Sequence, residues 1–198
     1  MARVTNIKLV GVGGQGILLA TELLSEALLR AGHDVKTSEV HGMAQRGGSV
    51  FSDVRFGPRV YSPLIPDGET HLLVGFEQIE AVRHLGSLAR DGIAVVSKQI
   101  ILPLGVTLGL VARPRDLLGR IRALARKLEI IDAPALARKA GSARAANTVT
   151  LGALSRHLEV APQLWAEVLR ERLGARLLEA NLRAFELGRS QAVESTAL

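Results

Sequence analysis

Apolar residues follow two rhythms along this chain. Asn6 to Val12 reads as a short buried strand, with Ile7, Leu9, Val10 and Val12 as its apolar positions, and glycines come directly after it. From about Gly16 to Ala31 the spacing changes. Ile17, Ala20, Leu24, Ala27, Leu28 and Ala31 recur at helical intervals, which predicts a helix with one buried face, and Gly32 supplies its stop. Val35 to Val40 reads as a second strand, so the chain opens on a β-α-β unit and the sheet is expected to be at least partly parallel.

Ser49 to Phe56 (SVFSDVRF) is β-like with polar residues interleaved, whereas Val60 to Pro66 is punctuated by prolines and does not suit a central strand. His71 to Phe76 reads as a strand, Glu77 to Arg90 as a helix, and Gly92 to Ser97 as the next strand after an Asp91-Gly92 turn. Asp116 to Leu128 is an amphipathic helix, Glu129 to Asp132 a short strand, and Pro134 marks a helix start. Asn147 suits the N-cap of an apolar helix beginning at Thr148. Pro162 to about Leu187 is helical, and Gln191 to Leu198 reads as a frayed, flexible tail. The expected fold is α/β and Rossmann-like: a mostly parallel sheet with flanking helices, a helical C-terminal region, and a single domain over residues 1–190.

Composition narrows this picture. At 198 residues the chain fills one core, and with 47% hydrophobic but only 3% aromatic residues that core is aliphatic. No run of about 18 apolar residues and no secretory leader pattern is present, so a cytoplasmic protein without membrane contact is expected. The count of zero cysteines removes disulfides, thiolate zinc sites, cysteine nucleophiles and iron–sulfur ligation together. His33, His71, His84 and His157 show no pair with metal-ligand spacing, so no metal site is expected. The formal charge is +6, with arginines concentrated after Arg113. Without interleaved aromatics for base stacking, these read as a solvated helix face and not as a nucleic-acid site.

Two segments carry candidate chemistry. Gly11, Gly13 and Gly16 satisfy G-x-G-x-x-G between a strand and a helix, where helical N–H groups and the positive dipole end accept an anion. Glu39, near the end of the second strand, could serve as the ribose-binding acid of an NAD or FAD site. A tight structural turn needs the same glycines, and the bulky Gln15 amide could project into the space a pyrophosphate would need; both readings stay open. The second segment, SEVHGMAQRGGSV, sets His41, Gln45 and Arg46 beside Gly42, Gly47 and Gly48. In an open parallel sheet, loops after the strands share one ligand-binding rim, and Arg46 can contact a carboxylate or phosphate bidentately.

GVGGQGILLATELL, SEVHGMAQRGGSVFSDVRFG, SPLIPDGETHLLVGFEQIEA and AANTVTLGAL together resemble the gamma-type subunit or domain of 2-oxoacid:ferredoxin oxidoreductases, and HGMAQRGGSV is most similar to its indolepyruvate members. The resemblance implies a subunit of an enzyme that decarboxylates an aryl 2-oxoacid oxidatively with coenzyme A, giving acyl-CoA, carbon dioxide and reduced ferredoxin. It also implies that thiamine diphosphate, Mg and the iron–sulfur clusters lie in a large partner subunit, that ferredoxin is reached through the complex, and that this chain binds no cofactor and is inactive alone. The absence of cysteine and of a Gly-Asp-Gly motif agrees with that. By the same resemblance, Gly13, Gly14, Gln15, Gly16, His41, Gln45, Arg46, Gly47 and Gly48 face the partner and shape the approach of the 2-oxoacid or coenzyme A, with Arg46 as the anion contact and no proton-transfer role assigned. A surface normally covered by the partner would drive self-association of the isolated chain. The alternatives are the gamma subunit of a pyruvate, ketoisovalerate or 2-oxoglutarate enzyme, and an NAD- or FAD-dependent oxidoreductase.

Overall fold

The computed structural model describes residues 4–42 and 47–191, and the backbone of 194–197. The strands are β1 (Thr5–Val12), β2 (Asp34–His41), β3 (Ser49–Gly57), β4 (Thr70–Gly75), β5 (Leu88–Ser97), β6 (Lys127–Ile131) and β7 (Glu194–Ala197). The helices are α1 (Ile17–Arg30), α2 (Gln78–His84), α3 (Leu104–Thr107), α4 (Leu117–Leu124), α5 (Ala133–Lys139), α6 (Ala146–Ser155), α7 (Pro162–Arg172) and α8 (Ala175–Ser190). In space the sheet runs β2-β3-β1-β4-β5-β6-β7. β1, β4, β5 and β6 are mutually parallel, β3 runs against both β1 and β2, and β7 runs against β6. Among the described residues, five of the seven strands therefore share one direction, in keeping with a mostly parallel α/β sheet.

Period-two burial makes the layers. Ile7 and Leu9 of β1, with Val54 of β3 and Leu72 and Val74 of β4, pack with α1, α6, α7 and α8 around Trp165 and Phe185. The alternate positions Val10, Leu73, Ala94 and Val96 pack against Ala81 and Leu85 and against Ile121 of α4. Val95 and Ile131 continue the first face under α5, α6 and α8. Strands covered on both faces are apolar at their central positions, as over residues 72–74 of β4 and 93–96 of β5, and the charged exception in β1, Lys8, is buried against Asp53.

The opening β-α-β unit forms with a modification: β3 lies between β1 and β2, with Leu9 opposite Ser52 and Ser52 opposite Glu39. β2 is polar and largely exposed, and such a strand belongs at the sheet edge. β3 carries buried Val50, Val54 and Phe56 and sets Asp53 directly across from Lys8 in a buried ion pair. The proline-punctuated excursion folds back onto these strands, where Arg55 Nη1 donates to Ser62 O and Leu64 O, each at 2.9 Å, and Asp34 accepts from Val60 N at 2.8 Å.

Several boundaries differ from the sequence reading. The helix expected over Glu77 to Arg90 ends at His84, with a 3-10 turn at Leu85–Ser87, and Asp91 and Gly92 lie inside β5 instead of forming a turn. The β4–β5 register shifts between Thr70 and Leu72, and Gly92 passes so close to Thr70 O that a side chain would not fit. The helix expected over Asp116 to Leu128 ends at Leu124, and the strand after it starts at Lys127. Pro162 to Leu187 is two helices, because the chain turns extended at Leu173 and Gly174. Within the span read as a flexible tail, Glu194–Ala197 adds to the free edge of β6 as an antiparallel strand. A polar tetrapeptide gives no apolar signal, and main-chain hydrogen bonding to an open edge needs none.

Candidate functional site

β1, α1 and the turn between them form one wall of a rim at the carboxyl ends of the strands. Gly16 is the N-cap of α1, with a left-handed backbone (φ 76°) and no side-chain cap. Gln15 does not project outward: its Oε1 accepts from Val12 N at 2.8 Å, and its Nε2 donates to Phe76 O at 3.0 Å and to Gln99 Oε1 at 3.2 Å. One amide thus ties together the ends of β1, β4 and β5. Gly11 makes the room, since a Cβ there would lie 2.7 Å from Gln15 Oε1 and 2.8 Å from Ile17 Cδ1.

The two glycine segments meet. Gly13 N donates to Gly48 O at 2.8 Å and Gly47 N donates to Gly13 O at 3.2 Å, so the β1–β3 ladder continues past both strands. His41 closes β2, and Gly42 N donates to Ser49 O at 3.0 Å. Gly13, Gly14, Gly16, His41 and Gly42 line a cleft of about 650 Å³ over the α1 N-terminus. Gly13, Gly14, Gln15 and Gly47 also line a second cleft of about 470 Å³, bounded opposite by Gln99, Arg144, Asn147 and Thr150. Gln45 and Arg46 lie outside the described residues.

The second cleft contains residues that the sequence did not assign to a site. Asn147 is not the N-cap of α6; it sits inside the first turn, after a 3-10 turn at Ala143–Ala145, and its Nδ2 donates to Gly16 O at 3.2 Å. Its Oδ1 accepts from Thr148 N at 2.9 Å, so the side chain joins the start of α6 to the start of α1. Arg144 is exposed at the same wall and brings a positive charge 98 positions beyond Arg46. Only folding puts Arg144 next to the glycine turn; locally it is one arginine among many.

Behind the rim lies the fully buried Glu77, the N-cap of α2, which accepts from Glu80 N, from Ile79 N at 3.0 Å and from Ile101 N at 3.4 Å. Burial pushes its carboxyl above the usual range, against the pull of these N–H donors. Gln78 N donates to Gln99 O at 2.9 Å and Gln78 Nε2 to Lys98 O at 2.7 Å. Glu77 and Gln78 thereby fasten the chain after β5 to the rim. Glu80, also buried, accepts from Ser49 Oγ at 2.6 Å and pairs with Arg83.

The geometry does not suit a dinucleotide. Glu39 is exposed on an edge strand two ladder spacings from β1, about 10 Å, whereas the ribose-binding acid of such a site ends the strand beside β1. Gly11 makes room for the inward Gln15 amide, not for a pyrophosphate. Among the described residues, no cluster of three metal-ligating side chains is present, and no helix is long and apolar enough to cross a membrane.

The sequence matches known proteins along almost its whole length. It is 39% identical over 198 residues to a protein named indolepyruvate oxidoreductase subunit IorB from Thermococcus kodakarensis, with 98% of each chain covered. It is 37% identical over 196 residues to a protein of the same name from Pyrococcus horikoshii, with 96% of each covered. The pyruvate oxidoreductase subunit PORC of Thermotoga maritima has a similar structure, with a TM-score of 0.74 at 22% identity over 98% of this chain and 99% of that one. A 2-oxoglutarate:ferredoxin oxidoreductase of Magnetococcus marinus, solved with 2-oxoglutarate, coenzyme A and succinyl-CoA bound, matches with a TM-score of 0.71 at 22% identity, covering 95% of this chain but 31% of that longer one. Residues 6–191 fit the family model described as pyruvate ferredoxin/flavodoxin oxidoreductase, and with both glycine segments stitched into one rim on this sheet, the chain belongs to that family as a subunit of a 2-oxoacid:ferredoxin oxidoreductase.

Proposed function

We propose that this chain is the cofactor-free small subunit of a cytoplasmic indolepyruvate:ferredoxin oxidoreductase and is inactive alone. In the reaction an aryl 2-oxoacid loses carbon dioxide, its acyl carbon forms a thioester with coenzyme A, and two electrons pass to oxidised ferredoxin. Thiamine diphosphate, Mg and the iron–sulfur clusters belong to the larger subunit; this chain has no cysteine with which to hold a cluster. The observation that carries the reading is identity of 39% along essentially the full length of a protein named as an indolepyruvate oxidoreductase subunit.

Within that reading, the rim formed by Gly13, Gly14, Gln15, Gly16, His41, Gly47 and Gly48, together with Gln45 and Arg46, faces the partner's active centre. Its work is to bound the path of coenzyme A or the 2-oxoacid, both of which are anions. The uncapped N–H groups of α1 and the exposed Arg144 support it, since a helix N-terminus and a guanidinium are complementary to phosphate and carboxylate. In the assembled complex, Arg46→Ala and Arg144→Ala are expected to raise KM for coenzyme A or for indolepyruvate about tenfold or more, as loss of a charge-assisted contact does. Unchanged KM values for both compounds in both variants would sink the assignment of the rim. A complex that reduces ferredoxin with pyruvate or 2-oxoglutarate but not with aryl pyruvates would sink the substrate.

A further inference from the structure

The stretch after β5 breaks the pattern of the rest of the surface. From Gln99 to Ala112 there is not one charged residue, and Leu104, Leu108, Leu110 and Val111 are 72%, 62%, 77% and 60% exposed. α3, inside this stretch, buries none of its side chains. The segment is nevertheless ordered by its own backbone. Thr107 N donates to Pro103 O, Leu108 N to Leu104 O, and Leu110 N and Val111 N both donate to Gly105 O, with Gly109 left-handed at the reversal (φ 73°). A chain that satisfies its own hydrogen bonds while turning leucines to water presents a preformed apolar knob, the kind of exposed patch that marks an interface.

Two further observations say what covers it. Arg113, Arg115, Arg120, Arg122 and Arg126 follow immediately and are all exposed, and among the described residues none is ion-paired with a carboxylate. A second copy docked symmetrically on this face would bring one basic rim onto another, which is repulsive. A different protein with an apolar pocket bordered by carboxylates satisfies both parts. The segment is also joined to the rim: Glu77 accepts from Ile101 N, and Gln99 Oε1 accepts from Gln15 Nε2. Leu104 and Thr107 share a cleft of about 370 Å³ with Gly47 and Ser49.

We propose that Ile100 to Val111, with the arginines from Arg113 to Arg126 as its border, is the surface on which the larger subunit docks, through an apolar pocket edged by Asp and Glu. The proposal rests on the reading of this chain as a subunit of that complex. It gives the arginine-rich region a role as the border of a protein interface, and it puts the docked partner one hydrogen bond, Gln99 to Gln15, from the glycine turn.

The test uses the full chain co-expressed with the larger subunit, with association measured by titration of the purified subunits. Leu108→Asp/Leu110→Asp is expected to weaken assembly at least tenfold while leaving the thermal midpoint of the isolated chain unchanged, because neither side chain is buried. Arg113→Glu/Arg115→Glu is expected to weaken assembly at about 50 mM salt, with the difference from wild type largely gone at about 500 mM. Wild-type affinity in both variants would overturn the docking surface while leaving the subunit reading intact; failure of the wild-type chain itself to bind the larger subunit would overturn both. If the leucine variant abolishes only self-association, which salt should strengthen by screening the two basic rims, the occupant is a second copy and the proposal fails.

Discussion

At Gln15 both ends of the side-chain amide are used, one as acceptor from Val12 N and the other as donor to Phe76 O and Gln99 Oε1. Gln15→Glu keeps the acceptor but sets a carboxylate against two other oxygens. A loss of about 1–3 kcal/mol is expected from the lost donor and the unpaired acceptors, and chemical denaturation will measure it. Gly16 is equally specific. Its left-handed backbone costs an L-residue about 1–2 kcal/mol, and a Cβ there would come within 2.5 Å of Asn147 Nδ2. Gly16→Ala should therefore destabilise the chain, and in a double-mutant cycle with Asn147→Ala the two losses should be less than additive, because removing the amide relieves the contact. Additive losses would mean that the two positions do not touch. The turn itself was legible in the sequence, since glycines between a strand and a helix state their geometry locally. The direction of Gln15 was not, because the two acceptors of its Nε2 lie 61 and 84 positions away.

Among elements, the tightest crossing is that of α6 over α8. A Cβ at Gly188 would lie 2.0 Å from Val149 O, and one at Gly152 would lie 2.2 Å from Phe185 O, so the two backbones touch where glycine faces main chain. Gly188→Ala forces these helices apart and should cost about 3 kcal/mol, read as a fall in thermal midpoint of about 6–12 °C for a domain of this size. An unchanged midpoint would show that the crossing can slide. Element type was readable wherever one period persisted: β1, α1, β4 and the core of β5 lie close to where the sequence puts them. Element ends were less so. At Leu88 pairing with Thr70 of β4 extends a strand back across a register shift into residues with helical spacing, and at Glu194–Ala197 an open sheet edge recruits a polar segment.

For the whole molecule, Glu129 links the sheet to the helical layer by accepting from Arg156 at 2.6 Å and lying 3.1 Å from His157 Nε2. Burial alone would raise its pKa, but the close approach of His157 and the charge of Arg156 prevail and hold it below the ordinary value of 4.5. A carboxyl with a depressed folded-state pKa binds fewer protons folded than unfolded, so its stabilisation is present above that ordinary value and is lost as pH falls through the folded value. Thermal midpoints measured from neutral pH down to about pH 3 should therefore fall less steeply in Glu129→Gln than in wild type, and parallel curves would refute the assignment. The sequence by itself determined the α/β class, the aliphatic core, the two glycine segments and the lack of any cysteine thiolate to ligate an iron–sulfur cluster. Each follows from residue type and short-range spacing. Only the tertiary structure decided that β3 enters between β1 and β2, that Gly13 and Gly48 bond to each other, that Gln15 turns inward, and that Arg144 and Asn147 complete the wall opposite. Those outcomes depend on which strand can be buried on both faces and which polar edge must stay in water, a competition settled by the whole chain at once.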